Sequence, residues 1–300
     1  MRFTRNVAEY TIDLAEDEDS RWAEVIEQEA SVARKLVDEA MSGVVVSAGL
    51  LKPAAWVFER LYRNLGGRYC REIEAWAAGL GITRGEATGL SCSYEINHLW
   101  EWLSGMRLPK IGCTAGVRWL PGRGLIHVRT LDWDLPSMGA ATRIFKFQDG
   151  GHSFVAVGLA GFVGVLSGMV PGQYSVSINW APPGKRRPTF DFGPALLLRE
   201  VLASIDDYDE AVEVLSTARL AAPAFFMVCG VHKRQACVIE RQQNSAVIRR
   251  IRNGILIQTN HHVARKYQSA NGYWDRDADD TWQRADTLRE SLLRLKQGTS

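Results

Sequence analysis

Gly112-Cys113-Thr114-Ala115-Gly116 opens one short run of small and β-branched residues, and Gly124-Leu125-Ile126-His127-Val128-Arg129-Thr130-Leu131-Asp132-Trp133 forms the next. Runs of this length bounded by Gly and Pro predict neighbouring strands. Two such strands bring a thiol, a guanidinium and a carboxylate together in Cys113, Arg129 and Asp132. An unpaired charge in or beside a strand is costly to bury, so Arg129 and Asp132 are expected to pair or to meet a ligand. The plain alternative is a structural Arg–Asp salt bridge. Taken alone, a cysteine at a strand start is more often a small packed hydrophobe than a nucleophile. Its charged neighbours make Cys113 a candidate nucleophile.

Upstream, the texture is helical. Trp22, Val25, Ile26, Ala33, Leu36, Val37 and Ala40 recur at helical spacing, as do Ile73, Trp76, Ala77 and Leu80 before Gly81, and Glu86 to Trp102 continues the pattern. Downstream, Thr142–Phe147, Ser153–Leu159, Gln173–Ile178, Phe225–Val231, Gln235–Glu240, Ala246–Ile251 and Ile255–Thr259 read as strands. Helices are expected at Gly193–Ser204, Asp207–Ala218 and from about Asp280 to Lys296. Strands, helices, strands and a final helix predict an α+β fold of two stacked, mostly antiparallel sheets covered by helices. A boundary near Leu108–Gly112 divides a helical segment, 1–112, from a sheet domain, 113–300.

With 300 residues and 46% hydrophobic content, the chain can bury a sizeable core. A net charge of +2, from 36 basic and 34 acidic residues, gives no field suited to nucleic acid. The runs Lys185-Arg186-Arg187 and Arg249, Arg250, Arg252 read as solvated faces, with anionic headgroups as the minor reading. Five cysteines without CxxC spacing indicate neither a disulfide framework nor a zinc site. Free thiols and an N-terminus lacking an apolar run predict a cytoplasmic setting. The apolar stretch Met41–Phe58 is broken by Lys52-Pro53; core packing is favoured over a weak membrane-surface contact. Neighbouring strand residues point to opposite faces, so His261-His262 is not expected to form a paired metal site.

The order of these segments resembles the amidases related to acid ceramidase and N-acylethanolamine amidase, within the choloylglycine hydrolase group of N-terminal nucleophile hydrolases. The resemblance runs from Tyr10-Thr11-Ile12-Asp13-Leu14 and Arg21-Trp22 through Gly85-Glu86, Tyr94-Glu95, Cys113-Thr114 and Gly124–Asp132. It continues through Gly161–Gly168, Pro171-Gly172, Ala222-Pro223-Ala224 and Thr259-Asn260. It implies a four-layer αββα sandwich preceded by a propeptide-derived helical segment. By the same resemblance Cys113 becomes N-terminal when the chain cuts itself between Gly112 and Cys113. Arg129 and Asp132 line the nucleophile, Asn260 stabilises the oxyanion, Asn179 is a second polar cleft residue, and Arg284 matches a late arginine. No cofactor and no metal are implied. The implied substrates are small-molecule or lipid N-acyl amides; the alternatives are a bile-salt or penicillin V acylase-type reaction, or a silent lipid-binding relative. Asn179-Trp180-Ala181-Pro182 is closer in texture to the bile-salt branch. The apolar stripes of the helical segment predict that both fragments stay associated after cleavage.

Arg284 also has a physical argument. It lies four residues before Leu288 on the Leu288, Leu292, Leu295 side of the last helix, so its guanidinium should face the sheets. Arg276 and Arg289 read as surface residues.

Overall fold

A computed structural model describes residues 6–48, 51–104, 111–183, 189–273 and 280–295. The first segment forms β1 (Glu9–Asp13) and the helices α1 (Ala23–Ala48), α2 (Leu51–Asn64), α3 (Cys70–Leu80), α4 (Arg84–Ser91) and α5 (Ser93–Ser104). Local chemistry sets several of the boundaries. A Thr83–Glu86 capping box starts α4, and Gly81, at φ 62°, ends α3 in the left-handed conformation that glycine takes without strain.

Beyond the boundary come β2 (Ile111–Leu120), β3 (Gly124–Trp133), α6 (Met138–Ala141), β4 (Thr142–Asp149), β5 (His152–Leu159), β6 (Ser167–Val170) and β7 (Tyr174–Trp180). Two helices, α7 (Pro194–Ser204) and α8 (Tyr208–Thr217), precede β8 (Ala224–Gly230), β9 (Ala236–Gln242), β10 (Ser245–Arg250) and β11 (Ile255–Gln258). A 3₁₀ turn at Arg265–Tyr273 leads to α9 (Thr281–Arg294).

The large sheet has the order β1-β4-β5-β6-β7-β8-β9-β10 and the small sheet β11-β2-β3. Every pairing is antiparallel except β1 with β4. Helices α7 and α8 cover one face of the large sheet, the small sheet packs on its other face, and α9 covers the small sheet. This is the four-layer αββα sandwich. Ala115, Val117, Phe225, Met227 and Val238 fill the space between the sheets. A Cβ on Gly116 would come within 2.8 Å of Leu288 and Leu292, so glycine there lets α9 lie close on β2.

Segment 1–112 is not purely helical, because β1 completes one edge of the large sheet. A buried ion cluster also joins the two segments: Arg199 of α7 donates to both oxygens of Glu72 of α3 at 2.6 and 2.7 Å, and Arg21 adds a third bond at 3.2 Å. The side chains of residues 43–55, which carry most of the expectation for 41–58, lie outside the described residues. Trp56 is 61% exposed and meets Phe190 edge-on. Among the described residues no helix is long and apolar enough to cross a membrane.

Candidate active site

The β2–β3 register places Cys113 opposite Leu131, Ala115 opposite Arg129, and Gly112 opposite Asp132. Directly paired residues share a face, and faces alternate along a strand. Cys113 and Arg129 therefore look into the sandwich, whereas Gly112 and Asp132 look out. Arg129 Nη2 lies 3.8 Å from Cys113 Sγ and donates to Ile178 O at 3.0 Å, tying β3 to β7 beside the thiol. Asp132 is exposed and lies against Gly112, where a Cβ would come within 3.2 Å of Asp132 Cβ and 3.4 Å of its Oδ2. Its carboxylate thus sits beside the Gly112–Cys113 bond, on the face away from the thiol. The sequence-level alternative of an Arg129–Asp132 salt bridge does not fit this alternation.

Asn260 and Arg284 close around the same residue. The Cys113 N–H donates to Asn260 Oδ1 at 2.8 Å. Arg284 Nη1 donates to Cys113 O at 2.6 Å and to Thr114 Oγ1 at 2.8 Å, and its Nη2 donates to Asn260 Oδ1 at 2.8 Å. The guanidinium faces the sheets from α9, although Leu295 on the same side is 41% exposed. Asn260 Nδ2 donates to Trp180 O at 2.9 Å, and its backbone N–H reaches Thr281 Oγ1 at 3.0 Å. Thr281, a buried hub at the start of α9, was not anticipated from sequence. Asn179 is buried on β7; its Nδ2 donates to Gln258 O at 2.9 Å, holding β7 to the segment that carries Asn260. Among the described residues Asn179 Oδ1 has no partner.

The two adjacent histidines diverge. His261 meets Thr259 and Thr281 and stacks on Trp282, while His262 meets Glu240 and Gln242. Arg276 lies outside the described residues, and Arg289 lines a different cleft.

Beside Arg129 a groove of about 400 Å³ runs along the edge of β3 over the inner face of β5, β6 and β7. Val155, Val157, Met169 and Val231 make it aliphatic, and Val157, Met169 and Val231 are each about half exposed. His127 adjoins Arg129 in this wall. Its ring nitrogens meet Ser175 Oγ at 2.9 Å and Ser177 Oγ at 3.1 Å, and burial, with Arg129 adding to it, pushes its pKa down to about 4. A neutral imidazole here braces β3 against β7.

Helix α5 supports the site from behind. Tyr94 Oη donates to Pro223 O at 2.8 Å, and His98 stacks on Trp180 at 4.8 Å with the rings nearly parallel. Burial pushes the pKa of His98 down to about 3, keeping it neutral, and pushes that of Glu95 up to about 7.

A sandwich of two sheets between helices, with a cysteine early in a central strand and polar side chains gathered on its backbone, defines the class: an N-terminal nucleophile hydrolase fold. Within that class the chain belongs to the acyl-coenzyme A:6-aminopenicillanic acid acyl-transferase family, matched over residues 122–298, a span that begins after Cys113. It is 26% identical over 258 residues to the N-acylethanolamine-hydrolyzing acid amidase of Caenorhabditis elegans, covering 81% of this chain and 69% of that protein. It is 25% identical over 271 residues to the acid ceramidase of Rattus norvegicus, covering 79% of this chain and 64% of that protein. The solved structure of a Caenorhabditis elegans N-acylethanolamine-hydrolyzing acid amidase ortholog superposes with a TM-score of 0.52 at 26% identity, covering 62% of this chain and 80% of that one.

Proposed function

We propose that the protein is a self-processing N-terminal cysteine amidohydrolase that cleaves linear N-acyl amides, fatty acyl ethanolamides or ceramide-like lipids among them. The observation that carries this reading is the convergence on Cys113: Arg129 on its sulfur, Asn260 on its nitrogen and Arg284 on its carbonyl. In the intact chain that nitrogen is an amide and cannot act as a base. The thiol attacks the Gly112 carbonyl, the Cys113 nitrogen leaves with a proton as the new α-amine, and water hydrolyses the thioester. Gly112 leaves the approach open and lets Asp132 lie beside the bond.

The freed α-amine titrates near ~8 and a thiol near ~8.5, so the amine can take the thiol's proton without a histidine. The thiolate attacks the substrate carbonyl, and Asn260 Nδ2 donates to the oxyanion, with Asn179 holding the strand from which it acts. The protonated amine passes its proton to the leaving nitrogen, the C–N bond breaks, and water then releases the acyl group as a carboxylic acid. The aliphatic groove beginning at Arg129 suits the acyl chain of such a substrate and favours a linear chain over the bulkier acids of bile-salt or penicillin V acylases. The Glu72–Arg199 cluster and strand β1 support continued association of the fragments. Five unpaired cysteines support a reducing, cytoplasmic setting.

Intact-mass measurement over time should convert one species into two fragments split between Gly112 and Cys113, with release of fatty acid from an N-acyl ethanolamide. Cys113→Ala should abolish both. An uncleaved, fully active enzyme, or cleavage that persists in Cys113→Ala, would refute the mechanism.

A further inference from the structure

Where the free edge of β10 meets the free edge of β11, under α9, the two sheets leave a cleft of about 1030 Å³. Arg249, Arg250, Arg252, Arg265 and Arg289 line it with Asn253, and among the described residues no carboxylate lines it. Among the described residues only Arg249 is held by an acid: it donates to Glu240 at 2.5 Å, bonds Gln258, and is largely buried. Arg250, Arg252, Arg265 and Arg289 are exposed and have no ion pair among the described residues. The charge of Arg250 also bears on Tyr208, on the α8 side of the sheet.

Several other exposed arginines are paired, while Arg60, Arg123 and Arg234 stand singly without an ion pair among the described residues. Arg34 pairs with Asp38, Arg63 and Arg84 with Glu59, and Arg294 with Glu290. The cleft instead gathers one sign from three separate pieces of chain, a hairpin, a 3₁₀ turn and a helix. Like charges crowded in a concavity raise the local potential and concentrate anions, although the net charge of the whole chain is only +2.

We infer that this cleft binds a phosphate ester. The planar guanidinium fork matches phosphate oxygens bidentately, and several forks around one concavity suit a ligand with more than one anionic oxygen. Ile255, Ile257 and Val263 supply an aliphatic wall for the organic part, and the volume is at the upper end of the range for small-molecule sites, roughly 300–1,000 Å³. The site is separate from Cys113 yet built on two elements that serve it. Strand β11 continues into Asn260, and α9 carries Arg284 five positions before Arg289. The inference does not depend on the amidase reading.

Calorimetric titration with pyrophosphate and with ADP, and flotation with phosphatidylglycerol vesicles against phosphatidylcholine vesicles, test it at low and physiological salt on the full chain. Arg252→Ala/Arg289→Ala should weaken binding at least tenfold, while Arg294→Ala, at the exposed end of α9, should not. Soluble-probe binding lost in the double variant identifies a free phosphate ester. Flotation with the anionic vesicles alone, lost in the same variant, identifies a lipid phosphate. No binding of any probe, or binding that survives the double variant with its circular dichroism unchanged, overturns the site.

Discussion

Replacing Glu95 with glutamine should remove a pH-dependent destabilisation of the fold. Glu95 sits on α5 with both carboxyl oxygens buried and neither meeting a hydrogen-bond donor in good geometry. Its Oε1 fills the space beside Gly193, lying 1.3 Å from where a Cβ on that glycine would be. Burial raises its pKa from 4.5 to about 7, because the ionised form loses hydration and its own backbone N–H offsets only part of that loss. A folded-state pKa above the unfolded one means that the native state holds the proton more tightly. The stability this supplies is complete below about pH 4.5 and is lost as the pH rises through about 7. At about 1.4 kcal/mol per pH unit, the gap amounts to about 3 kcal/mol, most of it between pH 5 and 8.5. Urea unfolding of Cys113→Ala with and without Glu95→Gln would measure it, the first substitution keeping the chain intact. Glutamine should gain on glutamate by that amount between the two pH values. A stability difference that stays constant with pH would refute the reasoning, because a purely steric effect has no such slope.

Arg284→Ala removes the bonds to Cys113 O, Thr114 and Asn260, and should lower kcat/KM for amide hydrolysis by roughly 100-fold or more, as loss of a positioned donor does. Arg284→Lys should not restore it, since one ammonium does not reproduce the fork; full activity in either variant would count against the role. Met169→Trp narrows the groove and should raise KM about tenfold for long acyl chains while leaving a short acyl amide unaffected, about 1.4 kcal/mol of chain binding. Equal effects on both substrates would place the chain elsewhere. Glu72→Ala strands the buried Arg199 and should cost about 3–5 kcal/mol in urea unfolding.

Much of the fold is legible because its signals are local. The β-branched runs of β3–β5 and β7–β11 and the apolar stripes of α1, α3 and α9 each announce themselves within a few residues. What escapes is held by distant partners or is too brief to carry a pattern. Glu9–Asp13 is a strand only because it pairs with β4, more than a hundred residues away, and Ser167–Val170 is four residues with a glycine. The site divides in the same way. Arg284 can be read from the side of the helix it occupies, whereas Asn179 and Asn260 need the family resemblance. His127 bracing Ser175 and Ser177 becomes visible only when two strands face each other across a sandwich. The arginine cleft joins a hairpin, a 3₁₀ turn and a helix that no sequence window contains.

The helix before the proposed cleavage point belongs to the site as much as the strand after it. Tyr94 Oη accepts from the Ala181 N–H at 3.4 Å, and the neutral ring of His98 lies flat on Trp180. Trp180 O takes the Asn260 amide, and Asn260 Oδ1 takes the Cys113 nitrogen. Two contacts from α5 therefore hold the Trp180–Ala181 segment, and two hydrogen bonds carry on from it through Asn260 to Cys113. Cutting the chain between Gly112 and Cys113 frees the amine that the proposed chemistry needs, but releasing α5 would unseat Trp180 and, with it, Asn260. On this reading cleavage without dissociation is a requirement of catalysis. Charging His98, by setting a cation unpaired against Trp180 in the buried stack, would disable the site even though the imidazole never touches substrate.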